Sequence, residues 1–181
     1  TSREVLLLPV NTPAGSTFSW PLPVMSDGST QGTTGSNVLA DPAGPREQAL
    51  FTAGDRLPIF RIGEETVAIL ICYDVEFAPH VKSVADRGAT VILCPTANML
   101  PFTHVADHTV PAMAANHGLA IAYANYCGTE GDLTYTGRST IAGPHGEILA
   151  RAGETPALLV ADIPRRVLAR LSTQSADLKV L

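Results

Sequence analysis

A chain of 181 residues with 45% hydrophobic and only 16% charged side chains has ample apolar material for one core, and this length predicts a single domain. A net charge of −5 excludes the polyanion-binding classes, nucleic acid and anionic membrane surfaces alike. The three cysteines (Cys72, Cys94, Cys127) are odd in number, widely spaced and set among apolar residues, which excludes a disulfide framework or a Cys-x-x-Cys metal site and predicts a reducing, cytoplasmic setting.

In chain order, residues 5–10 (VLLLPV) predict a short buried strand. Residues 11–46 are rich in Gly, Pro, Ser and Thr and lack either periodicity, so they predict a linker-like or incomplete segment, with a strand end only at 37–40. Residues 58–62 and 65–72 flank Gly63-Glu64 as a hairpin. Its second half, Val67 to Ile71, is a continuous apolar run suited to a strand buried on both faces. Helical spacing of Phe77, Val81 and Val84 then predicts a helix near 79–87 that stops at Gly88, followed by a strand at 90–94. Strand, helix and strand in this span predict a right-handed crossover and a parallel pair, which places the loop 95–101 on the same carboxyl edge as Cys72. Pro111 splits the helical stretch 104–117 into a turn and a helix ending at Gly118. A core strand at 119–124, a hairpin of 138–142 with 147–151, a strand at 157–163 and a short amphipathic helix at 164–171 complete the reading. No internal repeat and no apolar run long enough to span a bilayer are present, nor any signal-peptide pattern.

Cys72 is the residue with chemical promise. A thiol where a strand passes into a helix lies at the carboxyl edge of a sheet, near free amides that stabilise negative charge. That is where a nucleophile belongs, and the alternative is a small buried apolar residue. A pairing of Cys72 with a distant histidine is a second chemical reading. His104 and His108 stand four apart with Asp107 between them, but no third ligand accompanies them, so no metal is predicted. Cys94 reads as core, and the segment 143–146 (GPHG) as a turn rather than a phosphate loop.

Five segments occur in a telling order: LFTAGD (50–55), ICYDVEF (71–77), ILCPTA (92–97), AYAN (122–125) and GRSTI (137–141). Together they resemble the nitrilase superfamily, the carbon–nitrogen hydrolases that include amidases, carbamoylases and nitrilases. The resemblance covers about residues 44–163. It implies an α/β fold, an α-β-β-α sandwich, with an N-terminal segment 1–46, a hydrolase core 47–163 and a C-terminal helix and tail 164–181. It implies a small amide-type substrate and no cofactor or metal. It also implies a homodimer or higher homo-oligomer that pairs through its helices. Cys72 matches the nucleophile, Glu47 the second glutamate, which helps hold the catalytic set, and Tyr73 the residue whose backbone N–H donates to the oxyanion. Thr96 and Asn98 match the substrate-binding loop. The chain departs from the family pattern elsewhere: its only lysines, Lys82 and Lys179, follow Cys72, and Val10 stands where a Pro-Glu is expected. The stretch MAANH (113–117) also lacks the ionic pair of the family's helix. Two readings follow, a carbon–nitrogen hydrolase acting through Cys72 and an inactive or incomplete homologue serving as a self-associating domain. Light scattering is expected to return at least twice the mass of one chain, and a monomer at working concentration would overturn the assembly expectation.

Overall fold

In the computed structural model, the described residues are 3–7 and 53–177, with only the backbone of 3–7 described. Three consecutive parallel strands form the centre: β3 (Glu65–Ile69), β4 (Val91–Thr96) and β5 (Ala120–Asn125). Their registers place Val67 beside Val91 and Val91 beside Ala120. Apolar residues run through all three because both faces are covered, as parallel sheets require. Antiparallel strands complete the sheet on each side: β2 (Ile59–Ile62) beside β3, and β8 (Thr140–Ala142) with β9 (Ile148–Arg151) beside β5. The six-stranded order is β2-β3-β4-β5-β8-β9.

One face buries Ala68, Leu70, Ile92, Cys94, Ile121 and Tyr123 beneath α1 (Ala78–Asp86) and α2 (Val110–His117), whose Val81, Val84, Val110 and Ala114 are fully buried. The other face is covered by β10 (Leu159–Ile163), which pairs antiparallel with β1 (Arg3–Leu7). Alternation along β10 is that of a half-buried strand: Leu159, Ala161 and Ile163 pack on the main sheet, while Val160 faces out, 52% exposed. Helical, β and β layers thus stack as the α/β sandwich predicts. Among the described residues no helix is long and apolar enough to cross a membrane.

The local differences from the sequence expectations have physical causes. β3 ends at Ile69 rather than Cys72, because residues 72–76 coil into a 3₁₀ turn (Cys72–Glu76) ahead of α1. Pro111 does not split the second helical stretch. A π-helical turn (Val105–Thr109) runs straight into α2, and Pro111 lies in the first turn of α2; the Ala106 carbonyl behind it is bonded by Arg151 instead. The expected helix at 164–171 shrinks to a 3₁₀ turn (Leu168–Arg170), with Val167 and Leu168 exposed to solvent while Leu171 lies against Gly118. A short α3 (Gln174–Asp177) follows instead. A second hairpin, β6 (Cys127–Glu130) with β7 (Leu133–Thr136), was not expected, because its polar, largely exposed residues show no alternation.

Two devices tie the periphery to the core. Asp107 of the π-turn pairs with Arg138 at 2.6 Å and Arg151 at 3.4 Å, and Arg151 also donates to the carbonyl of Ala106 at 2.9 Å. This fastens the π-turn to the β8–β9 hairpin. At the other end, His117 Nδ1 lies 2.9 Å from Ser175 Oγ, and Leu171 covers Gly118, which ends α2 in the left-handed conformation. The C-terminal segment is thereby strapped across α2.

Two predictions follow from these contacts. A Cβ at Gly137, where φ is 61°, would stand 2.7 Å from the carbonyl oxygen of Gly153 and 2.9 Å from Glu154 Cα, both backbone atoms. Gly137→Ala is therefore expected to destabilise the protein by about 2–4 kcal/mol in urea unfolding, from left-handed strain plus overpacking. Burial, with a contribution from Lys82, lowers the His117 value from its ordinary 6.5, while Asp86 opposes. The folded state thus favours the neutral imidazole and the unfolded state binds more protons. The resulting stability is fully present above the ordinary histidine value and is lost as pH falls through it towards the lowered one. Thermal melts across that window should show His117→Gln losing less stability on acidification than the parent; identical slopes would refute this.

Candidate active site

The site begins where the β3 ladder ends. The Leu70 N–H donates to the Leu93 carbonyl at 3.2 Å, and two residues later Cys72 takes φ 49°. A left-handed residue other than glycine is uncommon and costs on the order of 1–2 kcal/mol. Surrounding contacts hold it there. The buried Asp74 carboxylate accepts the Ile71 N–H at 3.3 Å, and the Asp74 N–H returns a bond to the Ile71 carbonyl at 3.0 Å. Cys94 Sγ donates to the Cys72 carbonyl at 3.8 Å. His80 of α1 brings Nδ1 to 3.3 Å from the Asp74 carbonyl oxygen and 3.9 Å from its carboxylate. The Tyr73 ring meets Phe77 edge-on at 4.8 Å. The result is a sharp strand-to-helix turn that leaves Cys72 partly exposed at the carboxyl edge of the sheet.

The neighbouring wall is the end of β4 and the loop after it. Thr96 and Asn98 are both buried. Asn125, at the end of β5, organises this loop through one side chain. Its Oδ1 accepts the Asn98 N–H at 2.7 Å, while its Nδ2 faces the Asn98 carbonyl at 3.2 Å, Thr136 Oγ1 at 2.8 Å and the Gly137 carbonyl at 2.8 Å. Ser139 Oγ closes the cluster by accepting the Asn125 N–H at 2.9 Å and donating to its carbonyl at 3.2 Å. The Asn98 amide donates to the Phe102 carbonyl at 2.8 Å, and the Leu100 N–H reaches Thr134 on β7. The unexpected β6–β7 hairpin therefore braces the loop.

Of the sequence-predicted residues, Cys72, Tyr73, Thr96 and Asn98 are gathered on one edge, as the crossover predicts. The Asn98 side chain is directed inward to the Phe102 carbonyl, which makes it a builder of the wall. Glu47 lies outside the described residues. His104 and His108 are exposed, and the Asp107 between them is turned to Arg138 and Arg151. Sequence reasoning assigned no part to Asp74, Tyr123, Asn125 or Ser139. The legible signal was a polar residue ending an apolar strand, as Asn125 does.

Burial governs the electrostatics. It pushes the Cys94 thiol well up, helped by neighbouring Cys72 and opposed by hydrogen bonding to Thr96 and the Cys72 backbone. Burial also raises Glu76 above the ordinary carboxylate range, with His104 opposing. The Tyr123 phenol is pushed far up by burial, then by Cys94 and Cys72, and is only partly relieved by the approach of Thr96 and Asn98. Neither of these completes a hydrogen bond of good geometry, so the buried Tyr123 hydroxyl has no partner.

With this geometry in place, comparison with known proteins is informative. The carbon–nitrogen hydrolase family profile matches residues 31–172. A protein of Pseudomonas protegens described as "Hydrolase in pqqF 5'region" is 40% identical over 126 residues, 69% of this chain and 44% of that protein. The amidase of Nesterenkonia AN1 from the nitrilase superfamily, solved as a cysteine-to-alanine variant, superposes with a TM-score of 0.70 at 37% identity, covering 80% of this chain and 52% of that one. Another structure of that amidase, showing covalent addition of the acetamide moiety of fluoroacetamide at the active site cysteine, matches at 41% identity and TM-score 0.67 over 71% of this chain and 48% of that one. The chain thus spans about half the length of the relatives it matches.

Asn125 provides the test of the wall. Asn125→Leu keeps the volume and strands several buried polar groups at about 1–3 kcal/mol each. A loss of about 3 kcal/mol in urea unfolding is expected, against a change within about 0.5 kcal/mol for the exposed Thr134→Ala.

Proposed function

The chain belongs to the carbon–nitrogen hydrolase family, and on that premise we propose that it hydrolyses the C–N bond of small amides through Cys72. The observation that carries the reading is the left-handed φ of Cys72 at the carboxyl edge, held by the buried Asp74. Strain of this kind persists only where surrounding contacts over-determine it, and it clusters at functional sites. The covalent adduct at the active site cysteine of the Nesterenkonia amidase supports the same role, and its acetamide moiety points to short acyl groups.

The chemistry follows from the groups assigned. Cys72 Sγ, as thiolate, attacks the amide carbonyl carbon, forming a C–S bond and placing negative charge on oxygen. The backbone N–H of Tyr73, next in the turn, is the donor for that oxyanion. Collapse of the intermediate breaks the C–N bond, and the nitrogen leaves as ammonia with the proton that the Cys72 thiol gave up to a general base. Water then adds to the thioester, the same base takes its proton and returns it to the departing Cys72 sulfur, and the acid and free thiol are released. Glu47, matched to the second glutamate, has the part of holding these groups in place. No metal or cofactor enters these steps. A reducing cytoplasm, which keeps Cys72, Cys94 and Cys127 as the free thiols of the structure, and assembly into a dimer or larger oligomer complete the proposal.

One observation favours a second reading, a folded homologue with little turnover. Lys82 and Lys179 are the only lysines, and Lys82 on α1 is bound to Asp86 at 2.9 Å. Without a cationic donor the oxyanion forfeits about 10²–10³ in rate. Ammonia release from short aliphatic amides decides between the two. Turnover that is slow for such enzymes and abolished by Cys72→Ala is expected. No turnover leaves the second reading, and turnover that survives Cys72→Ala sinks the first.

A further inference from the structure

The turn that presents Cys72 is held from outside by a group the mechanism leaves unassigned, His80 of α1. Asp74 closes the turn on itself: its N–H donates to the Ile71 carbonyl at 3.0 Å, and its carboxylate accepts the Ile71 N–H at 3.3 Å. Cys72 and Tyr73 are the two residues these bonds enclose. The φ of 49° at Cys72 and the direction of the Tyr73 N–H therefore depend on how firmly Asp74 is kept in place. Its side chain is only 2% exposed, so the groups that fix it come from the protein rather than from bulk water.

His80 is one of them. In the first turn of α1 its backbone N–H donates to the Phe77 carbonyl at 2.9 Å, and its ring lies 5.6 Å from that of Phe77. Nδ1 then stands 3.3 Å from the Asp74 carbonyl oxygen and 3.9 Å from the Asp74 carboxylate. A carbonyl oxygen accepts and never donates, so the hydrogen of this bond sits on Nδ1. Nε2 is bare whenever the ring is neutral.

We infer that His80 is a positioning residue of this site: as the Nδ1–H tautomer it pins Asp74 to α1, and so fixes the turn that carries Cys72 and the Tyr73 N–H. The inference rests on the reading of Cys72 as the nucleophile and adds a side chain with no part in the steps above. Val81 and Val84, further along α1, are fully buried in the core. The pin thus lends the rigidity of a packed helix to a turn that must hold an unfavourable conformation. Misplacing a reacting group by about 1 Å can cost about 10² in rate.

Three measurements on the full chain test this. Long-range proton–nitrogen correlation spectra, in buffer alkaline enough to keep the ring neutral, read the tautomer of His80. Hydrogen on Nδ1 is expected, and hydrogen on Nε2 overturns the inference. Asparagine and leucine have nearly the same shape, and the asparagine amide can place an N–H where Nδ1–H stands. In His80→Leu the Ile71 amide is expected to exchange with solvent about tenfold faster than in the parent, and in His80→Asn to return towards the parent rate. Equal exchange in the two variants marks a ring that only fills space, and sinks the inference as well. In turnover, His80→Leu should lower kcat about tenfold with KM within about twofold, and His80→Asn should recover kcat. An unchanged kcat in His80→Leu refutes the positioning role. Should His80→Leu fail to fold, the tautomer in the parent decides alone. Tautomer and exchange are read without substrate, so a chain that shows both expected results but no turnover keeps the pin and loses the proposed function.

Discussion

Everything at the carboxyl edge hangs on the side-chain amide of Asn125. Three stretches of chain converge on it: the backbone of the loop after β4, the Thr136 hydroxyl at the end of the β6–β7 hairpin and the carbonyl of the glycine that leads into β8. The loop residue Asn98 and Gly137 lie outside the strands, and burying peptide groups that have no sheet partners requires substitutes. An amide presents two donor hydrogens and an acceptor in one plane, so it satisfies strands running in different directions as no hydroxyl can. The hub holds because β5 is the central strand with ladders on both sides, which leaves its last residue little freedom.

The candidate nucleophile depends on a similar transfer of rigidity. Cys72 takes up an unfavourable backbone conformation, and the deficit is met by Asp74, by Cys94 on the next strand and by the apolar packing of α1. The parallel crossover makes this arithmetic work. It sends β3 and β4 out at the same edge, so the thiol of Cys94 reaches the carbonyl of Cys72 from directly alongside. A hairpin connection would have sent the second strand back the other way.

Much of the architecture is legible in the sequence because burial leaves periodic traces. The apolar runs of β3, β4 and β5 mark strands with two covered faces, and Val81 and Val84 mark the inner stripe of α1. The motif order around Cys72 and Asn125 carries the family resemblance. What the sequence conceals is whatever depends on three-dimensional partners rather than periodicity. The β6–β7 hairpin is polar and owes its place to backbone bonds with residues 98–100. The π-helical turn owes its register to Asp107, whose two arginines lie 31 and 44 residues away along the chain. Tyr123 reads as a bulky strand former, and only the fold reveals that its hydroxyl is buried. The Pro111 expectation failed for a related reason, since the distant Arg151 supplies a donor to the Ala106 carbonyl that precedes the proline.

The ionic clamp around Asp107 has a consequence for how this sequence can vary. One carboxylate serves two guanidiniums, so the three positions are unequal in their tolerance to change. Losing Arg138 or Arg151 leaves Asp107 a remaining cation, and Arg151 retains the Thr140 hydroxyl and the Ala106 carbonyl. Losing Asp107 instead removes both ion pairs at once, leaving Arg138 its contact with Glu154 at 3.4 Å and Arg151 its neutral acceptors. Coupled groups of this kind are non-additive under mutation. The order of substitution therefore matters: removing an arginine first breaks one of the two ion pairs, whereas removing the aspartate first breaks both. A carboxylate at position 107 is thus favoured by the two guanidiniums it joins, independently of any chemistry at Cys72.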